Sequence, residues 1–164
     1  MNMVHSLSAL ALAGLVASTA AVASTAAAEP DPASLALKFC EAVRSSDEAL
    51  AEALMNPDLQ AAIARLRVAD AEFRIAYPGD KPPLGDGLRL TAFPDGLASC
   101  TPVAVTSDSA DLVFAPGSDP SATWQDRLVL MATPDGGVVV ADILYAPDQT
   151  ARFSDWLSEA ASWK

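Results

Sequence analysis

Asp126 and Asp142 are the residues of this sequence best suited to do chemistry. Each falls inside a segment of strand character, Trp124-Gln125-Asp126-Arg127-Leu128-Val129-Leu130 and Val138-Val139-Val140-Ala141-Asp142-Ile143-Leu144-Tyr145. An inward carboxylate is costly in such a segment unless something compensates it. If neighbouring strands carry both groups into one pocket, one carboxyl can stay protonated as a general acid while the other serves as base. The default role of both is structural, facing outward or hydrogen-bonded in place, with ligand or partner recognition ahead of catalysis among the alternatives. Arg127 points to the opposite side of a regular strand from Asp126, so one tight triad is not expected. Trp124 and Tyr145 either line an apolar cavity or lock a sheet to a terminal helix. Trp124, Asp126, Arg127, Asp142 and Tyr145 together are the candidate ligand-binding or partner-binding set, and no residue is assigned as catalytic.

Other chemistries are excluded by what the chain lacks. The one histidine is His5, inside a leading apolar stretch. Its loss on maturation would rule out histidine triads, histidine zinc sites and histidine acid/base catalysis. Cys40 and Cys100 lie too far apart for a local redox motif and are too few for a cysteine zinc cluster. In an exported chain they suit a single disulfide, the alternative being two separately buried thiols. Such a bridge would close about 60 residues and restrain the unfolded ensemble by roughly 4 kcal/mol. The Gly85-Asp86-Gly87 spacing is not a phosphate loop, and no aspartate spacing forms a calcium loop. Neither a cofactor nor a metal is expected.

The leading stretch sets the compartment. Leu7 to Ala28 is apolar and alanine-rich, and Ala26-Ala27-Ala28 before Glu29-Pro30 has the small-residue pattern of a signal peptidase site. Residues 1–28 therefore read as a signal peptide, although no Lys or Arg precedes the apolar run, and the alternative is an uncleaved anchor. Residues 29–164 read as one domain. No later segment resembles a membrane span, so no stable span remains after cleavage and the product is periplasmic or secreted. All 21 acidic and all 10 basic residues lie beyond Ala28, leaving the charge of −11 intact. That balance argues against nucleic acid and anionic lipid as partners.

The elements that must position these residues change character along the chain. Asp31-Pro32 starts a helix, with Leu35, Phe39 and Val43 at four-residue spacing to about Ser45. A second helical piece covers Glu48 to Met55. From Pro57, the residues Leu59, Ile63, Leu66, Phe73 and Tyr77 give a longer amphipathic helix that Pro78-Gly79-Asp80 ends. On it Arg67, Asp70 and Arg74 read as solvent-facing support, with a ligand-binding charged edge as the alternative. Pro78 to Gly96 is an irregular connection, structural by default and a mobile rim or partner loop in the alternative. Strands are expected over about 98–106, 110–115, 123–132 and 138–145, with Pro134-Asp135-Gly136-Gly137 as the clearest hairpin turn. A closing helix over about 150–160 turns Phe153, Trp156, Leu157 and Ala160 toward the sheet. No coiled-coil repeat stands out. Helices, an antiparallel meander and a closing helix imply an α+β fold: N-terminal helices packed on a curved antiparallel sheet, with a C-terminal helix.

The Trp124–Leu130 and Val138–Tyr145 segments, with the Thr133-Pro134-Asp135-Gly136-Gly137 turn between them, resemble exported domains of the NTF2-like or cystatin-like superfamily. Within it the chain looks most like a DUF3828-like protein over roughly residues 31–160. The resemblance implies a strongly bent sheet wrapped around helices, which can leave a cone-shaped pocket. That superfamily includes enzymes, ligand-binding proteins and interaction modules, so fold resemblance does not select an activity. The leading expectation is an exported, non-catalytic module for a cell-envelope protein or a small ligand. The alternatives are a small carboxylate-dependent hydrolase or isomerase, and an inhibitor or immunity-type protein that plugs a basic cleft.

Overall fold

The structure, a computed structural model, describes residues 31–146 and 148–162. The expected signal peptide lies outside them. Among the described residues no helix is long and apolar enough to cross a membrane.

Helix α1 spans Pro32–Ser45 and begins where the sequence places it. The Asp31 carboxylate accepts the free amides of Ala33 and Ser34 at 3.0 Å each, and Pro32 occupies the first turn, where no amide donor is needed. Helix α2, Glu48–Ala53, is capped by Asp47 through the Leu50 amide at 2.9 Å. Helix α3, Pro57–Ala76, is capped by Asn56 through the Leu59 amide at 2.8 Å.

Four strands follow: β1 Leu97–Val105, β2 Ser109–Pro116, β3 Trp124–Ala132 and β4 Val138–Leu144. They form an antiparallel meander in the order β1-β2-β3-β4. Helix α4, Phe153–Ala161, closes the fold. It begins later than the expected residue 150, because Arg152 still bridges Leu144 and Thr150 is held in a turn by the Asp148 carboxylate. Trp156 is half-buried and stacks on the buried Phe153 at 5.7 Å.

The core lies between the helices and one sheet face. Leu112 and Phe114 of β2, Leu128 of β3 and Ile143 of β4 are fully buried, as are Leu35 and Phe39 of α1. Packed side chains therefore fill this face of the sheet. The sheet's two edges are handled differently. At β4 the link between α2 and α3 completes the ladder: the Asn56 amide donates to the Val140 carbonyl at 2.9 Å, and the Val140 amide to the Leu54 carbonyl at 2.8 Å. Edge strand β1 instead carries Pro102 and two register shifts, which spoil it as a template for further strands.

A disulfide joins Cys40 of α1 to Cys100 of β1, with Cα atoms 5.2 Å apart. It ties the covering helix to the strand least supported by neighbours. Replacing both cysteines by alanine should lower stability by about 2–4 kcal/mol in urea unfolding, chiefly by freeing the unfolded chain. An unchanged unfolding midpoint would show that the bridge restrains little.

Candidate functional site

Asp126 lies on the inward face of β3, aligned with Leu128 and Leu130, and is 1% exposed. Its Oδ2 accepts the Thr91 hydroxyl at 2.6 Å and the Ala92 amide at 2.9 Å, while its Oδ1 accepts the Ala146 amide at 2.8 Å. Three donors from two connections replace the water that this carboxylate gives up. Thr91 in turn accepts the indole N–H of Trp124 at 2.9 Å. A chain of hydrogen bonds thus runs from the Trp124 ring through Thr91 to Asp126.

Asp142 serves a different end of the fold. It pairs with Val129 across the ladder, whereas Leu128 pairs with Ile143, so Asp142 and Asp126 belong to opposite faces of the sheet. Asp142 is 6% exposed, and its Oδ1 accepts the Ile143 and Ser154 amides at 2.8 and 3.1 Å. Its Oδ2 accepts the Ser154 hydroxyl at 2.7 Å and meets the Arg152 guanidinium at 3.3 Å. This carboxylate anchors the first turn of α4, which has no side-chain cap from Arg152. The two aspartates share no partner.

Arg127 lies on the outer face, bound through two nitrogens to Asp111 of β2 at 2.5 and 3.0 Å. That hydrogen bond and the aspartate's charge hold the guanidinium's pKa above its ordinary value. Tyr145 is 3% exposed, its hydroxyl donates to the Arg89 carbonyl, and the Arg89 guanidinium lies 5.2 Å from its ring centre.

The connection between α3 and β1 contributes more to the site than its composition suggests. Leu88, Leu90 and Ala92 alternate and are buried, an extended apolar pattern inside a segment rich in Pro and Gly. We refer to residues 84–93 as the strap. Carboxylates from three elements hold it: Asp70 accepts the Leu84 amide at 2.9 Å, Glu48 the Leu88 amide at 2.7 Å, and Asp126 the Thr91–Ala92 pair. Gly87, at φ +136°, permits the second contact, since a β-carbon there would collide with the Glu48 carboxylate. The expected solvent-facing role of Asp70 is corrected accordingly. It is 7% exposed and binds both the strap and Arg74, while Arg67 pairs with Glu52.

Beside the Asp126 latch lies a recess of about 500 Å³ lined by Phe93, Thr123, Trp124, Gln125, Ala146 and Gln149. Trp124 stacks on the buried Phe114 at 5.6 Å and meets Phe93 edge-on at 5.4 Å. Phe93 is 57% exposed, so its ring presents apolar surface at the mouth. The loops bearing the lining residues also carry exposed Asp95, Asp119 and Asp148. Hydrogen bonds from the Ser121 hydroxyl and amide lower the pKa of Asp119, and bonds from the Thr150 amide and hydroxyl do the same for Asp148. A second cleft, of about 580 Å³, separates α3 from α4 beside Asp142.

Of the five sequence candidates, Trp124 lines the recess, Asp126 is joined to it through Thr91 and the Ala146 amide, and Tyr145 binds Arg89 of the strap. Arg127 and Asp142 lie elsewhere. Phe93, Thr91 and Gln149 were not anticipated. The alternation of Leu88, Leu90 and Ala92 was the signal that could have flagged the strap. Among the described residues no group of three or more His, Cys, Asp or Glu side chains is arranged to hold a metal ion. Comparison of the chain with family models, curated proteins and solved structures found no match.

Burial raises the pKa of the Tyr145 phenol well above the ordinary 10.0. Above that value the unfolded chain releases this proton while the folded chain keeps it, so stability complete below pH 10 must fall as pH rises further. In urea unfolding between pH 8 and 11, wild type should lose stability faster above about pH 10 than Tyr145→Phe does. The variant should also start lower at pH 8, because the Arg89 carbonyl loses its donor. Parallel pH curves would contradict the assignment.

Proposed function

We propose that the chain is an exported, non-catalytic binding module of the NTF2-like or cystatin-like kind, DUF3828-like in its strands. It acts in the periplasm or outside the cell, and it recognises its partner with the Phe93–Trp124 recess. The observation carrying this reading is an aromatic recess whose floor is hydrogen-bonded into place while the Phe93 ring stays open to solvent. A rigid aromatic wall contributes contact area at small entropic cost. The exposed Asp95, Asp119 and Asp148 on the loops that bear its lining residues, with the charge of −11, favour a partner surface that is apolar at its centre and basic at its edge. A basic segment of a cell-envelope protein has that chemistry.

The alternative of carboxylate catalysis loses support because Asp126 and Asp142 lie on opposite faces and every carboxylate oxygen already accepts a donor. A general acid or base needs a free approach to a substrate proton.

Phe93→Ala tests the proposal with little risk to folding, because that ring is largely exposed. Partner retained by the wild-type protein from native envelope extract should be lost from Phe93→Ala, and Asp95→Asn/Asp148→Asn should weaken retention most at low salt. Retention unchanged in both variants would overturn the recess as the recognition surface.

A further inference from the structure

The cleft between α3 and α4, of about 580 Å³, shares no lining residue with the Phe93–Trp124 recess. Its aliphatic lining is Leu59 and Ala62 of α3 with Leu157 and Ala161 of α4. Among the described residues no aromatic ring lines it, so it offers no stacking platform for a planar or sugar ring. One polar group in it is buried and uncommitted. Asn56 is 8% exposed, and its Oδ1 accepts the Leu59 amide at 2.8 Å as the cap of α3. Its Nδ2 donors are accepted by no other group among the described residues. Since no side-chain nitrogen or oxygen closed off from solvent lacks a partner among those residues, Nδ2 keeps an accessible edge, and the space beside it is this cleft. A donor so placed selects an acceptor atom in whatever enters, because an apolar group would strip its water and return no bond.

The charges lining the cleft narrow the ligand further. Asp58, Arg65 and Asp142 are the charged side chains that line it. Asp142 is already paired with Arg152 at 3.3 Å and bonded to Ser154. Asp58 and Arg65 are exposed, and neither side chain has an ion-pair or hydrogen-bond partner among the described residues. Two helical turns separate them, about 10 Å along the axis of α3. The uncommitted charges are therefore one anion and one cation at a set spacing on one helix. A lone anion would meet Asp58 and a lone cation would meet Arg65, whereas a zwitterion of matching length satisfies both.

We infer that the α3–α4 cleft binds a free short peptide of small aliphatic residues, with its ammonium beside Asp58, its carboxylate beside Arg65 and a peptide carbonyl on Asn56 Nδ2. An extended chain advances about 3.3–3.6 Å per residue, so about three residues cover the separation of the two charges. The carbonyl that Asn56 takes lies toward the ammonium end, because Asn56 and Asp58 are neighbours at the start of α3. Small aliphatic side chains suit the lining of Leu59, Ala62, Leu157 and Ala161. The exposed position of both charges makes the binding weak and dependent on salt. This inference does not rest on the reading of the recess.

Trialanine titrated into isotope-labelled, oxidised protein and followed by amide chemical shifts tests this directly. Saturable shifts are expected around Asp58, Arg65 and Ser158, with none at Phe93 or Gln125. Acetylating the amino end of the probe, or amidating its carboxyl end, should each weaken binding roughly three- to tenfold at low salt. Asp58→Asn should erase the difference between free and acetylated probe, and Arg65→Gln the difference between free and amidated probe. Asn56→Ser keeps a capping oxygen for α3 while withdrawing the amide donor, and should weaken binding by about tenfold. Unchanged circular dichroism and thermal unfolding would verify that each variant is folded. The absence of saturable shifts at millimolar trialanine overturns the proposal. So do shifts gathered at the recess, end-blocking effects that Asp58→Asn and Arg65→Gln leave in place, or an affinity that Asn56→Ser does not move.

Discussion

The fold turns on one buried carboxylate. Asp126 stands on a strand facing the core, where an ionised group without donors would be strongly unfavourable, and it is tolerated because three donors converge on it. Those donors come from the strap and from the loop after β4, neither of which has a sheet or helix of its own. Their irregular backbone needs partners for its amides, and the carboxylate supplies them. The compensation is mutual: the carboxylate fixes the loops, and the loops supply the donors that replace its hydration. Trp124 joins the arrangement through Thr91, so the orientation of the recess wall depends on the same latch.

The pattern repeats across the molecule. Asp70 and Glu48 hold earlier parts of the strap, and Asp142 holds the start of α4. A chain with 21 acidic and 10 basic residues uses several of its carboxylates as acceptors for loop backbone. This explains how an irregular segment rich in Pro and Gly becomes a packed wall. It also bears on chemistry, because the aspartates most suggestive of catalysis are already committed to structural donors. What remains accessible is the aromatic surface of Phe93, on a loop that also carries the exposed Asp95.

Local signals carried far. Asp31-Pro32 and the spacing of Leu35 and Phe39 read directly as the start and inner face of α1, and Asn56-Pro57 marked the break before α3. Period-two alternation puts Trp124, Asp126, Leu128 and Leu130 on one side of β3, and the structure shows that side to be the inward one. The disulfide also followed, since two cysteines in a chain read as exported had few other uses. What escaped was non-local. Asp126 binds Thr91 and Ala146, 35 and 20 residues away, and no periodicity announces such partners. Asp70 looked like half of a surface helix pair because its strap donor at Leu84 lies beyond a turn.

The central claim is that Asp126 holds two connections in place and so builds the recess. Amide hydrogen exchange on Asp126→Asn compared with wild type tests it most directly, because the amides of Ala92 and Ala146 both donate to this carboxylate. The account predicts that both amides are protected in wild type and lose protection together in the variant, while amides within the β2–β3 ladder keep theirs. Protection at Ala92 and Ala146 that survives the substitution unchanged would contradict it.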